Sequence, residues 1–368
     1  MKLKTLLIVV ALLAALSGAA WFLNRPASAS SAADPRLGKP VLDTAAAEKA
    51  SRLKITEKGK TVLLVRDAGS GWQVASYHDL PADFAKLAAL VKSLNSAAVE
   101  RLVTTSPDRI KRLEFSDTTI TVLDAAEKPL LALTLGKSAD TGGRYLRFGD
   151  ENKAYLARLD TWLDVEPKNW ADASLARFTP ADIAKVSITF ADAPAVTVSR
   201  PDAKTAFTAE ATPEGQRLKT DTISSLLSTL SGLRFAETSA IDDPQAVGAR
   251  AAARTVTLTT FDGKTLAFAL GRQPERNVIK ADALNPAPTA LVAGSPQPEP
   301  TALVGPVTEK VPAGPVFAFI THSDASAPVN ALMQKRAFQI AEFSLNSLPS
   351  NAASLFEPVP APATPKSP

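Results

Sequence analysis

The chain begins with a run of apolar positions and then breaks into two different periodicities. Residues 5–23 carry no charge, and nineteen residues rising ~1.5 Å each give a helix of about 28 Å, close to the ~30 Å hydrocarbon core of a bilayer. Lys2 and Lys4 precede the run and orient residues 1–4 toward the cytoplasm. Its length argues for a retained signal anchor, with removal at the small residues Ala27-Ser28-Ala29 as the alternative. Residues 24–47, small, polar and punctuated by proline, read as a flexible stalk.

From Ser51 the pattern alternates. Leu53, Ile55, Val62, Leu64 and Val74 predict short antiparallel strands. Pro81-Ala82-Asp83 then opens a helix with Phe84, Leu87, Ala88, Val91 and Leu94 on one face, a face that must cover the preceding sheet. Strands return at 119–123, 130–135, 144–148 and 154–157, and a Trp-bearing stretch, 161–175, reads as helical. The same succession then recurs. Strand alternation restarts at Ile183, and a second helix carries Ile223, Leu226, Leu227, Leu230 and Leu233 at the spacing of the first. Leu135-Gly136-Lys137 and Leu270-Gly271-Arg272 stand 135 positions apart, Ile55 and Ile188 stand 133 apart, and residues 171–175 resemble 341–345 at 170.

The expected fold is therefore α+β, with two tandem related modules after one transmembrane helix, each a mainly antiparallel sheet covered by an amphipathic helix. The first module spans 48–178 and the second 179–349, the latter with a proline-rich insertion at 285–315 that accounts for the longer offset. Its last helix is expected from Pro328, with Val329, Met333, Ala337 and Ile340 on one face, ending before Pro349. Residues 350–368, rich in Pro, Ala and Ser, read as a disordered tail.

Charge narrows the function classes. The formal +4 resides mostly beside the apolar run: without Lys2, Lys4 and Arg25 the remainder has 38 basic and 37 acidic groups, too balanced for a nucleic-acid binder. There is no cysteine, hence no disulfide, thiolate metal site or lipoprotein anchor, which suits an oxidising compartment. The expected location is the inner membrane, single-pass, with the bulk in the periplasm.

Candidate chemistry is thin. His322-Ser323-Asp324 holds the residue types of a triad, but neighbours on one turn cannot face one another as nucleophile, base and orienter. The two histidines, His78 and His322, have no metal-ligand spacing. Gly136-Lys137 before Gly142-Gly143 has the composition of a phosphate loop in the wrong order, and Gly136 and Gly271 read as strand-end turns. Asp83 and Asp221 read as helix N-terminal carboxylates. Asp140 and Glu151 are the one carboxylate pair with a claim to hydrolase chemistry, which requires them in one cleft ~5 to 10 Å apart. No catalytic residue, cofactor or metal ligand is assigned, and the chain is read as a non-enzyme. Trp162, Trp170, Arg144 and Arg147 are the candidate partner surface, with a buried anchoring role the competing reading for the tryptophans. Arg109, Lys111 and Arg112 would extend the basic patch if their strands lie together.

Trp72 before Pro81-Ala82-Asp83, the strand ending in Leu135-Gly136-Lys137, Tyr155 on a strand, residues 170–175 and the fresh strand at 186–188 together resemble the bacterial family called domain of unknown function 4340. The resemblance covers roughly residues 51–349, more weakly in the second half. It implies an N-terminal membrane segment, an exported repeat domain, and an accessory role beside an ABC-type transport system related to the one named for gliding motility. The expected function is accordingly a membrane-anchored periplasmic scaffold binding ABC-type transporter subunits or envelope polymers; the alternative is a protein that binds or hydrolyses envelope polysaccharide or peptidoglycan. The family brings no catalytic residues, and the proline-rich insertion departs from its plainer members.

Overall fold

The computed structural model describes residues 34–279 and 308–359, except 68, 70, 116 and 162. The apolar run at 5–23, most of the proline-rich insertion and most of the tail lie outside the described residues. Among the described residues no helix is long and apolar enough to cross a membrane. The protein is α+β with antiparallel sheets, and it divides into two compact units between Asp172 and Ala173.

The first unit contains α1 (Thr44–Lys49), β1 (Arg52–Glu57), β2 (Lys60–Asp67), β3 (Gly71–Val74), β4 (Leu80–Pro81), α2 (Phe84–Ser96), β5 (Val99–Thr104), α3 (Pro107–Lys111), β6 (Thr119–Leu123), β7 (Pro129–Ser138), β8 (Arg144–Phe148) and β9 (Ala154–Ala157). Its nine strands lie in the order β4-β3-β2-β1-β6-β7-β8-β9-β5. Chain order explains the helix: β4 is one edge and β5 the other, so α2 must run from edge to edge over the sheet. Alternation supplies what it covers. Leu53 pairs with Leu64 and Val122, Ile55 with Val62 and Ile120, and all six face inward, fully or nearly fully buried. Asp83 caps α2 by accepting a hydrogen bond from the Lys86 amide at 3.1 Å.

The second unit contains β10 (Ile183–Thr189), β11 (Val196–Ser199), β12 (Thr208–Ala209), β13 (Gln216–Leu218), α4 (Thr220–Ser231), β14 (Phe235–Ser239), α5 (Pro244–Ala251), β15 (Arg254–Thr260), β16 (Thr265–Arg272), β17 (Arg276–Ile279), β18 (Thr308–Val311), β19 (Val316–His322), α6 (Pro328–Lys335), β20 (Ala337–Ile340), α7 (Glu342–Asn346) and β21 (Phe356–Pro358). Eight strands form one sheet, ordered β12-β11-β10-β15-β16-β19-β20-β14, while β13 pairs with β21 and β17 with β18. The apolar face of α4 is buried as its spacing predicts, at Ile223, Leu226, Leu227 and Leu230. Asp221 is the second residue of α4 and not its cap.

Several expectations are corrected. Residues 34–47 are not a flexible stalk. The amides of Gly38 and Val41 donate to the carbonyls of Val99 and Ala97, the Val99 amide donates back to Lys39, and Asp43 caps α1. This segment shields the outer edge of β5, where an unpaired strand would otherwise stand open. The described residues of 161–175 form no α-helix but an irregular stretch with one 3-10 turn, Pro167–Trp170. The helix from Pro328 stops at Lys335 because Arg336 is extended, and Ala337 and Ile340 belong to strand β20, whose alternation matches a helical face over so short a span. Arg109 and Lys111 lie on the short helix α3, not on a strand.

Gly136 and Gly271 are not strand-end turns. Each lies inside its strand, where the chain leaving a short helix passes directly over it. A Cβ on Gly136 would meet the Leu113 carbonyl oxygen at 2.7 Å, and one on Gly271 the Ala249 carbonyl oxygen at 2.3 Å.

Candidate functional site

Two features of the first unit stand out, one polar and one apolar. The polar one is built on β9. Its four residues are all buried, and Tyr155 sends its hydroxyl out to the segment that enters the unit. The Asp34 carboxylate accepts hydrogen bonds from the Tyr155 hydroxyl at 2.9 Å, the Lys153 ammonium at 2.8 Å and the Arg36 amide at 3.1 Å. The Arg36 guanidinium pairs with Glu151 and lies 4.2 Å from the centre of the Phe148 ring. The Lys153 hydrogen bond holds the Asp34 carboxyl down to about 2, and the same contact raises Lys153. Burial, and then Asp34, push the Tyr155 phenol well above its ordinary value. A cavity of about 680 Å³ adjoins the cluster. Asp34, Lys153 and Tyr155 are all displaced away from neutrality, so none is poised to exchange a proton at neutral pH. The arrangement is suited to clamping a chain.

The apolar feature is a groove of about 450 Å³ between α1 and α2, floored by Leu53 and Val122 of the sheet. It exists because α2 is rotated from its expected setting. Leu87, Leu90 and Leu94 form the buried stripe, while Phe84 is 70% exposed and Ala88 is exposed. Phe84, Ala88 and Val91 consequently form one wall, with Trp72 alongside. Only Thr44, Lys92 and Asn95 add polar groups, and the Asn95 amide is occupied with the Leu42 carbonyl at 3.0 Å and the Thr44 hydroxyl at 2.9 Å. Phe84→Ser is expected to change stability by no more than about 0.5 kcal/mol, since an exposed side chain contributes little to folding. Thermal unfolding of the variant checks it; a large loss would mean that the phenyl ring is part of the core.

The residues predicted as a partner surface are scattered. Trp170 is 2% exposed, so it presents no surface: its indole N–H donates to the Asp164 carbonyl at 2.8 Å and its ring lies 4.7 Å from the Lys86 ammonium. That ammonium reaches the Asp164 carboxylate at 2.6 Å; burial, the largest single effect, pushes the Asp164 carboxyl up, and the hydrogen bonds from Lys86, the Glu166 amide and Asn169 together bring it below its ordinary value. Trp162 lies outside the described residues. Arg144 donates to the Gly136 carbonyl at 2.9 Å, and Arg147 donates to the Glu151 carbonyl and lies 5.6 Å from the Phe115 ring. Both arginines are half-buried braces of their own hairpins, and they are not joined to Arg109 by neighbouring strands.

The carboxylates of the hydrolase alternative are apart. Asp140 precedes β8 and Glu151 follows it, so a five-residue strand, on the order of 16 Å long, lies between their turns. His322 and Asp324 do not assemble a triad, because the His322 Nδ1 accepts the Asp324 amide at 2.9 Å. No group of three metal-ligating side chains occurs among the described residues. Sequence reasoning missed the Asp34 cluster, whose members are about 120 positions apart, and also strands β5 and β14.

The family model described as a domain of unknown function, DUF4340, matches residues 72–252. The match begins in β3 of the first unit and ends just beyond α5 of the second. Neither a curated protein nor a solved structure matches the chain.

Proposed function

We propose, from the premise that this chain belongs over residues 72–252 to the DUF4340 family, that it is a membrane-tethered periplasmic accessory protein. Its two units are tandem copies of one module, and they hold partner proteins of an ABC-type complex beside the membrane. The observation that carries the reading is the clamp on the entering segment. Asp34 and Arg36 are fastened to Lys153, Tyr155 and Glu151, and residues 38–41 are hydrogen-bonded to β5, so the chain arriving from the apolar run meets a rigid sheet.

The duplication is supported by strand order. Reading β1, β6, β7, β8, β9, β5 against β10, β15, β16, β19, β20, β14 gives one succession in both sheets. Register supports it further. Leu135 pairs with Leu146 as Leu270 pairs with Ala318, and Leu146 pairs with Tyr155 as Ala318 pairs with Phe338. Equivalent positions are thus 135, 172 and 183 apart in turn. The first increase reflects the β17–β18 hairpin with its proline-rich connection, the second α6. The likeness of 171–175 to 341–345 is then not an equivalence, and the equivalent of the bridge between Ala82 and Ala171 is the pairing of Arg217 with Glu357. The bridges Pro40 to Ala98 and Ser174 to Arg234 support a start of each copy near residues 34 and 173.

Affinity capture of the full chain from cross-linked, detergent-solubilised membranes tests the role. Transporter subunits are expected in the eluate, and their recovery should fall when Asp34→Asn and Arg36→Ala together release the clamp. Recovery of the chain alone would overturn the reading.

A further inference from the structure

The groove between α1 and α2 is a property of the first unit. In the second, α4 buries its apolar stripe completely and shows serine and threonine to solvent, whereas α2 leaves Phe84, Ala88 and half-buried Val91 around an open apolar trough. A contiguous apolar trough is a candidate seat for an apolar occupant.

The position of the groove says what that is, resting on the proposed membrane tether. Ten residues separate Leu23, the end of the apolar run, from Asp34, and even fully extended they span on the order of 40 Å. The clamped segment then leads into α1, which is itself a wall of the groove. The groove is therefore held within reach of a bilayer surface.

Its chemistry is that of an amphiphile site. At ~30 Å³ for a group of about a water's size, 450 Å³ has room for roughly fifteen methylenes. Lys92 is the one cation lining it; it is exposed and makes no ion pair among the described residues. We infer that this groove takes one acyl chain of an anionic phospholipid from the membrane that tethers the protein, with the Lys92 ammonium meeting the lipid phosphate.

The test uses the full chain reconstituted into phosphatidylcholine vesicles containing phosphatidylglycerol with a photoreactive diazirine in its acyl chain. The vesicles are floated on a density gradient before irradiation, and labelled peptides are mapped by mass spectrometry. Labels are expected on peptides from α1 and α2, in addition to any on residues 1–33. Ala88→Trp, which puts an indole into the trough, should lower groove labelling about tenfold. Lys92→Glu should abolish the advantage of phosphatidylglycerol over diazirine-labelled phosphatidylcholine while thermal unfolding stays unchanged. Chain that does not float overturns the tether and the groove's lipid supply with it. Chain that floats but is labelled only within residues 1–33, or equally on both units, overturns the groove alone. Labelling by a diazirine free fatty acid but not by the phospholipid overturns the proposed source, and a groove that takes neither label overturns the proposal.

Discussion

Gly271→Ala is expected to destabilise the second unit by about 3 kcal/mol or more, raising its unfolded fraction by at least about a hundredfold. The backbone of Gly271 is not in a left-handed conformation, so the cost is one of contact. A methyl group there would stand 2.3 Å from the Ala249 carbonyl oxygen, 2.7 Å from the Ala253 Cα and 3.0 Å from the Ala253 nitrogen. All three are main-chain atoms, and α5 has nowhere to retreat: Ala246 and Ala249 are fully buried and pack on Phe317, the partner of Gly271 across β19. Interiors packed at crystal-like density absorb such an insertion only by moving backbone. Gly136→Ala should cost less, since its one main-chain contact, the Leu113 carbonyl oxygen, is at 2.7 Å and the Phe115 ring edge at 3.2 Å can turn aside, although the Tyr145 Cβ at 3.2 Å moves only with its backbone. Gly263→Ala, in open space with φ +83°, should cost only about 1 kcal/mol from its backbone conformation. Trp72, Trp162 and Trp170 precede Ala173 and the fourth, Trp21, lies in the apolar run, so the change in tryptophan fluorescence on unfolding reports the first unit and circular dichroism reports both. Urea unfolding should show the early loss in dichroism alone; Gly271→Ala unfolding together with the wild type would mean that α5 does not lie on β16 as described.

These glycines mark the limit of what was legible in the sequence. Alternation identified β1, β6, β15 and β16 because one face of each is buried and the other is not, so period two is written into residue choice. The face of α4 was legible for the same reason. The setting of α2 was not: Phe84 satisfies the helical stripe, yet α1 and α2 leave a trough between them, and the buried position falls to Leu90. Periodicity names a face to within a residue or so, while packing partners choose the rotation. Strand β5 escaped notice because it lies at the sheet edge, carries Glu100 and Arg101 outward and has an irregular register with β9. Gly136 and Gly271 could be matched to each other by spacing, but a close approach between distant segments leaves the same residue as a turn. The Asp34 cluster was illegible for a related reason. It joins residues separated by most of a module, and an Asp-Pro-Arg sequence after a small-residue stretch reads as linker until its partners are known.

Acidification is expected to open that cluster and free residues 34–42 from the edge of β5. The Asp34 carboxyl is held at about 2 against an ordinary 3.8, chiefly by the Lys153 hydrogen bond. A depressed carboxylate stabilises the docked state fully above the ordinary value and progressively less as the pH falls from 3.8 toward 2, where the docked carboxylate is itself protonated. Lys153, raised above 10.5, acts in the opposite sense: its contribution is complete below 10.5 and fades as the pH climbs through its elevated value. The clamp should therefore hold steadily from weakly acid to weakly alkaline solution and fail first on the acid side. Asp34→Asn keeps the shape but removes the charge, at a cost of about 1 to 2 kcal/mol after allowance for solvent at this half-open site. It should also remove the acid limb of the pH dependence. Tyr155→Phe keeps the ring in the core and deletes one donor, for about 1 kcal/mol. Hydrogen exchange at the Gly38 and Val41 amides, corrected for intrinsic rates, reads the docked segment directly, because both donate to carbonyls beside β5. Faster exchange is expected at neutral pH in both variants and in the wild type only on acidification. Exchange at these two amides that is indifferent to pH and to Asp34→Asn would mean that the backbone bonds alone hold the segment, and that the tether does not pull against this clamp.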